Sequence, residues 1–152
     1  MRYILSLSLV SCFYFSAVCQ SDNPKYNKIL ADSLGGDEYG MKSYVLVILK
    51  TGSNTTVKKE VSDSLFNGHI ANIVRLVSLG KLIVSGPLGK NDKAYRGIFI
   101  LNVKTIEEAN ALLATDPAIK EKLLEAEIFK WYGSAALPEY LKYHEQIEKT
   151  KM

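Results

Sequence analysis

Few residues of this chain pair a reactive side chain with a setting that would make it reactive. The clearest is His69, within SLFNGHIANIVRLVSLGKLIVSGPLG, Ser64 to Gly89. An imidazole takes and returns protons near neutral pH, so a histidine held out of bulk water is a candidate general acid or base. Placed on a helix at about 100° per residue, Leu65, Phe66, Ile70, Ile73, Val74, Leu76 and Val77 cover an arc about half the helix wide. His69 falls inside that arc, between Leu76 and Ile73, and Asn72 falls near its edge. His69 therefore faces the core or a cavity and not bulk solvent. Two readings stay open here: a structural histidine donating to a backbone carbonyl, or the reactive group of a site.

Other candidates are weaker. His144 sits among Glu and Lys in the C-terminal stretch and reads as a surface residue. Asp116 precedes Pro117, the pattern of a helix N-cap with proline at the first helical position, which needs no catalysis to explain it. With two histidines and both cysteines, Cys12 and Cys19, near the N-terminus, no metal-ligand spacing is visible, and none is expected. There is no Gly-x-Ser-x-Gly, no glycine-rich phosphate loop and no His-Glu-x-x-His. Lys81 and Arg96 read equally as solvated side chains or as holders of an anion.

The elements that must position these residues follow from periodicity and punctuation. Ser43–Lys50, SYVLVILK, is a continuous aliphatic run and predicts a buried strand. Thr51–Thr56 is a loop; its Asn54-Thr55-Thr56 matches a glycosylation acceptor, a cheap match with no weight. Helical periodicity runs from about Lys58 to Leu79 and stops at Gly80. Strands are expected at Lys81–Gly86 and Arg96–Val103, separated by a turn-rich loop. Thr105 and Glu108 form a capping box that opens a helix to Thr115. Asp116–Leu124 restarts as a short helix, Ala126–Gly133 alternates as the last strand, and an amphipathic tail helix follows.

The order β-α-β-β-α-β predicts an α+β, ferredoxin-like unit: an antiparallel four-stranded sheet with its helices on one face and an extra C-terminal helix. Outward positions on the last two strands include Ile98, Ile100, Phe129 and Trp131, on one alternation or the other. An apolar open face calls for a partner, and a second copy packed sheet to sheet is the simplest, unless the tail helix covers part of it.

The N-terminus differs from the rest. After Arg2, an uncharged run extends from Tyr3 to Ser21, its apolar part shorter than the roughly 20 residues of a membrane-spanning helix. It ends in Ala17-Val18-Cys19, and polar residues follow. This is read as a signal peptide, residues 1–19, cleaved after Cys19. Two alternatives are a lipobox at Leu9-Val10-Ser11-Cys12, with lipid on Cys12, and an uncleaved anchor. The expected location is the periplasm or the extracellular space, with no stable membrane span after cleavage. Residues 20–41 form an N-terminal arm, in which Pro24 opens a short helix that Gly35-Gly36 ends.

At 152 residues, 47% hydrophobic and 23% charged, the chain suits one globular domain with additional length. The formal charge of +3 falls to +2 without Arg2, and basic residues are dispersed among acidic ones, so no nucleic-acid partner is indicated. Loss of both cysteines with the leader would leave a domain stable through its core alone.

From Lys42 to Gly133, residues 42–133, the sequence resembles the YCII-related domain family. The features that carry the resemblance are His69 on its helix, Gly80-Lys81-Leu82 entering the second strand, Gly86-Pro87 after it, Glu107-Glu108 in the second helix, and Asp116-Pro117. Each is weak alone, and together they are fairly specific. The leader, the arm and the tail, residues 134–152, lie outside the domain and resemble exported members from Bacteroidetes-like bacteria.

The resemblance implies a dimeric α/β barrel, a homodimer of ferredoxin-like units. It also implies a His-Asp pair, here His69 and Asp116, the histidine acting as general acid or base and the aspartate orienting its ring. Capping and pairing are compatible only if one Asp116 oxygen caps and the other reaches the ring. Ser85, Gly86 and Pro87 would shape the pocket, with Arg96 or Asn72 offering a polar contact. The implied chemistry is a cofactor-free proton transfer, elimination or isomerisation on a small, unidentified molecule. One characterised branch of the family is a dehydrochlorinase of a chlorinated hydroxyquinol, a substrate to which no residue here points. A contrasting class is a non-catalytic small-molecule binding or assembly module of the cell envelope.

Overall fold

The computed structural model describes residues 23–150. The signal peptide and the lipobox at Cys12 lie outside the described residues. Four strands, β1 (Met41–Thr51), β2 (Leu82–Pro87), β3 (Tyr95–Leu101) and β4 (Leu124–Ser134), form one sheet in the order β2-β3-β1-β4. Every neighbouring pair is antiparallel. Helix α1 (Lys28–Leu34) precedes β1; α2 (Lys59–Ser78) joins β1 to β2; α3 (Ile106–Leu113) and α4 (Pro117–Lys120) join β3 to β4. A 3₁₀ turn, Leu137–Tyr140, leads into α5 (Leu141–Ile147). This is the α+β ferredoxin-like order.

Register decides which residues share a face. Val47 lies opposite Phe99 and Ile128, while Leu46 lies opposite Ile100 and Phe129. Because side chains alternate along a strand, Val45, Val47, Leu49, Phe99 and Leu101 point one way and form the core with Leu76 of α2, Ala109 and Leu113 of α3, and Ala118 of α4. Each fully buried leucine there contributes about 2 kcal/mol relative to exposure. Leu46, Ile48, Ile98, Ile100 and Phe129 point the other way, and Phe129 is exposed. Tyr44, on that same face, is buried beside Trp131, with ring centroids 5.6 Å apart, and its hydroxyl donates to the Ser134 carbonyl.

Two expected elements are shorter than the sequence suggests. The helix expected over Asp116–Leu124 is the single turn of α4: Lys122 takes a left-handed conformation at φ 58°, and Leu123 bonds back to the Ala118 carbonyl. Gly52 then donates to Leu123 O, tying this turn to the end of β1. A Cβ on Gly52 would stand 2.0 Å from the Lys122 carbonyl oxygen, so only glycine fits there. The tail is a 3₁₀ turn and two turns of helix, and it lies on the helix side of the sheet. The Tyr140 hydroxyl donates to the Ile83 carbonyl, and Leu141 and His144 face Val74 and Val77 of α2 across a hollow. The tail therefore does not cover the open sheet face.

A candidate acid–base site between α2 and the α4 turn

The stripe of α2 that is buried is narrow. His69, Asn72 and Leu76 are its buried members, spaced three and four apart. Phe66, Ile70 and Val74, on the next stripe, are exposed. The half-helix apolar arc thus does two things: one edge enters the core, and the other lines open space.

Across from this stripe runs the segment that leaves α3. Asp116 is 1% exposed and His69 8%. Asp116 Oδ2 lies 2.6 Å from His69 Nδ1, although the residues are 47 apart in sequence. Asp116 Oδ1 accepts from the backbone N–H of Ala118 at 3.0 Å and of Ile119 at 3.4 Å. One carboxylate oxygen therefore caps α4 while the other holds the ring, so the capping and pairing roles coexist. A carboxylate only accepts. Nδ1 then carries the hydrogen and donates it, which in the neutral ring leaves Nε2 with its lone pair.

The ring plane is set by aromatic neighbours. Phe99 stacks on it, centroids 5.9 Å apart and planes 21° apart, and Phe66 approaches edge-on at 6.2 Å and 86°. Nε2 bonds no group among the described residues, yet none of their buried side-chain nitrogens or oxygens is left unpartnered. Nε2 is therefore not sealed in the core. It reaches a cleft.

That cleft has a volume of about 380 Å³. One wall is the α2 face, with Phe66, His69, Ile70 and Ile73; the opposite wall is Ser85, Gly86 and Pro87 of β2 with Arg96, Gly97 and Phe99 of β3. Leu49 and Leu124 complete the lining. It is largely apolar, with His69, Ser85 and Arg96 as its polar side chains.

Ser85, Gly86, Pro87 and Arg96 all line the cleft with His69, whereas Asn72 does not. Asn72 is itself buried but turned away, into a separate, half-buried network with the exposed Arg75 and Thr115. Its Oδ1 accepts from Arg75 Nη2 at 2.7 Å and lies 3.0 Å from Thr115 Oγ1. The reason is angular: Asn72 is three residues beyond His69 on the buried stripe and meets the residue immediately before Asp116. It clamps the loop that carries the carboxylate, so its polar contact is with the scaffold. The expectation that it would line the pocket is corrected accordingly.

Gly68 was missed by sequence reasoning. A Cβ at this position would stand 2.6 Å from Pro117 Cγ. Real side chains do not tolerate that approach, so the missing Cβ lets α2 and α4 close on one another and brings His69 within bonding distance of Asp116. The available signal was a glycine inside a helix, which costs about 1 kcal/mol relative to alanine and so usually has a packing reason. Among the described residues no group of three or more His, Cys, Asp or Glu side chains could hold a metal ion.

No family model matches the chain, and no curated protein matches it. Among solved structures, it is similar to 5-chloro-2-hydroxyhydroquinone dehydrochlorinase from Burkholderia phenoliruptrix AC1100, in complex with 2,5-dihydroxybenzoquinone. The identity is 21%, the match covers 57% of this chain and 92% of that chain, and the TM-score is 0.42.

Proposed function

We propose that this protein is a cofactor-free acid–base enzyme, in which His69 moves a proton on a small molecule bound in the apolar cleft. The observation that carries this reading is the 2.6 Å contact of His69 Nδ1 with a buried, doubly anchored carboxylate, at the wall of a cleft that admits a ligand. Asp116 holds the ring in one tautomer and offsets the positive charge that forms when Nε2 takes a proton. Nε2 accepts from a substrate C–H or O–H. In an isomerisation the imidazolium returns the proton to another atom of the same molecule. In an elimination the electron pair left by the proton expels a leaving group from the adjacent carbon. Ser85 and Arg96, which line the same cleft, would contact an oxygen bearing developing negative charge. The protein works as an exported two-fold dimer of the YCII-like kind, its open sheet faces packed together.

Two substitutions test the chemistry. Once a turned-over small molecule is found, His69→Ala and Asp116→Asn should each lower kcat by about 10²–10⁴ while ligand affinity survives. Asn at position 116 still caps α4, so its melting temperature should change little. If both variants alter only the melting temperature, the pair is structural and the enzyme reading fails.

A further inference from the structure

The cleft does not end at Ile73. A second hollow, about 450 Å³, begins there and shares Ile73 and Ser85 with the cleft. Its near wall is the outward stripe of α2, Val74 and Val77; its far wall is the tail, with Tyr140 and Leu141. The Tyr140 hydroxyl, donating to the Ile83 carbonyl, seats this wall against β2. From Phe66 to Val77 the two hollows together follow α2 for roughly 16 Å, at 1.5 Å per residue. Their charged and titratable groups lie toward the two ends, His69 and Arg96 in the cleft and His144, Glu145 and Glu148 in the second hollow, while the hydroxyls of Ser85, at the junction, and Ser78 lie between. His144 Nε2 lies 3.9 Å from the Glu148 carboxylate.

This distribution of groups has a consequence for the ligand. A compact molecule would fill the cleft and leave exposed Val74 with no partner, whereas an extended apolar body would cover it. The two glutamates that line the far end, Glu145 and Glu148, disfavour an anionic terminus there, by like-charge repulsion. We propose that the two hollows form one groove for an elongated molecule. A hydroxyl or acidic C–H head sits at His69, and an uncharged alkyl or aryl body lies along α2, beneath the tail. The tail, outside the domain proper, then sets the length of substrate accepted. The identity of the head rests on the acid–base reading above; the length preference does not.

Phenol, 4-propylphenol and 4-heptylphenol serve as probes, with dissociation constants measured by isothermal titration calorimetry and by methyl shifts of Ile73 and Val77. Burial of each methylene should tighten binding by about two- to fourfold, so 4-heptylphenol, with seven added carbons, should bind at least ~100-fold more tightly than phenol. Val74→Glu and Leu141→Glu, which line only the second hollow, should remove most of that gain and leave phenol unchanged. A heptyl chain no better than propyl, equal loss for phenol and 4-heptylphenol in both variants, or no binding of any probe overturns the proposal. Length-dependent binding that persists when no proton-transfer activity is found overturns the acid–base reading and leaves the groove standing.

Discussion

At the scale of single residues, the candidate site depends on an atom that is missing. Gly68 has no Cβ, and that absence lets Pro117 approach α2 closely enough for Asp116 to reach His69. On a free helix surface Gly→Ala would stabilise by about 1 kcal/mol. Here Gly68→Ala should instead destabilise by about 1–3 kcal/mol, the usual effect of overpacking. It should also weaken the low-field proton resonance expected of the His69 Nδ1–H. Adding Pro117→Ala removes the colliding Cγ and should restore that resonance. An unchanged resonance and melting temperature in Gly68→Ala would show that the two helices can move apart without disturbing the pair. His69 was legible as an inward-facing residue because helical periodicity is local. Its partner was not: nothing in periodicity relates two residues 47 apart, and the Asp-Pro pair announced only a cap. The pairing entered through a family resemblance.

At the scale of elements, boundaries follow caps and closures. The Thr105–Glu108 capping box is present with both of its hydrogen bonds, and α3 begins where that motif places it. Helix α1 starts at Lys28, not at Pro24, because the Asn27 side chain accepts from Leu30 N–H and so supplies the cap. The arm is then pinned to the sheet by Asp37, whose carboxylate accepts from the Tyr132 hydroxyl and from the N–H groups of Tyr39 and Met41. These bonds hold the Asp37 carboxyl below its usual range and push the Tyr132 phenol up to about 12, the Asp37 hydrogen bond being the main cause. A lowered folded-state value means that Asp37's contribution is present above the ordinary carboxylate range, about 4, and is lost as pH falls through its depressed value. Tyr132's contribution is complete below about 10 and is lost as pH rises through about 12. The amide shifts of Tyr39 and Met41 should therefore be constant from about pH 5 to 9 and move together in acid. Tyr132→Phe should shift the acid transition upward; an unaltered transition would mean that the phenol does not hold the arm.

At the scale of the whole molecule, the sheet has one face occupied by α2, α3 and α4 and one face bearing Leu46, Ile48, Ile98, Ile100 and Phe129. The alternating pattern of the strands made an apolar outer face legible, and the register placed these residues together on it. The place of the tail was not legible, since its apolar residues would fit either face. With the tail on the helix side, a second copy is the proposed cover for the open sheet. Light scattering at micromolar concentration should give twice the chain mass, and Phe129→Glu should give a folded monomer, because a charge in a packed sheet interface must be desolvated. A wild-type protein that is monomeric under these conditions would rule out the sheet-to-sheet dimer.

The amino-acid order alone determined the sequence of strands and helices, the capped start of α3 and the inward direction of His69. These depend on periods of two and about 3.6 residues and on neighbours within a turn, so they are written locally. Only the tertiary structure decided that His69 meets both a carboxylate and a cleft, that Asn72 clamps the Asp116 loop and does not line the pocket, and that the tail walls a second hollow beside that cleft. Each of these is a distance between segments far apart in the chain. Such distances are set by how closely two surfaces pack, here by the space that Gly68 leaves for Pro117.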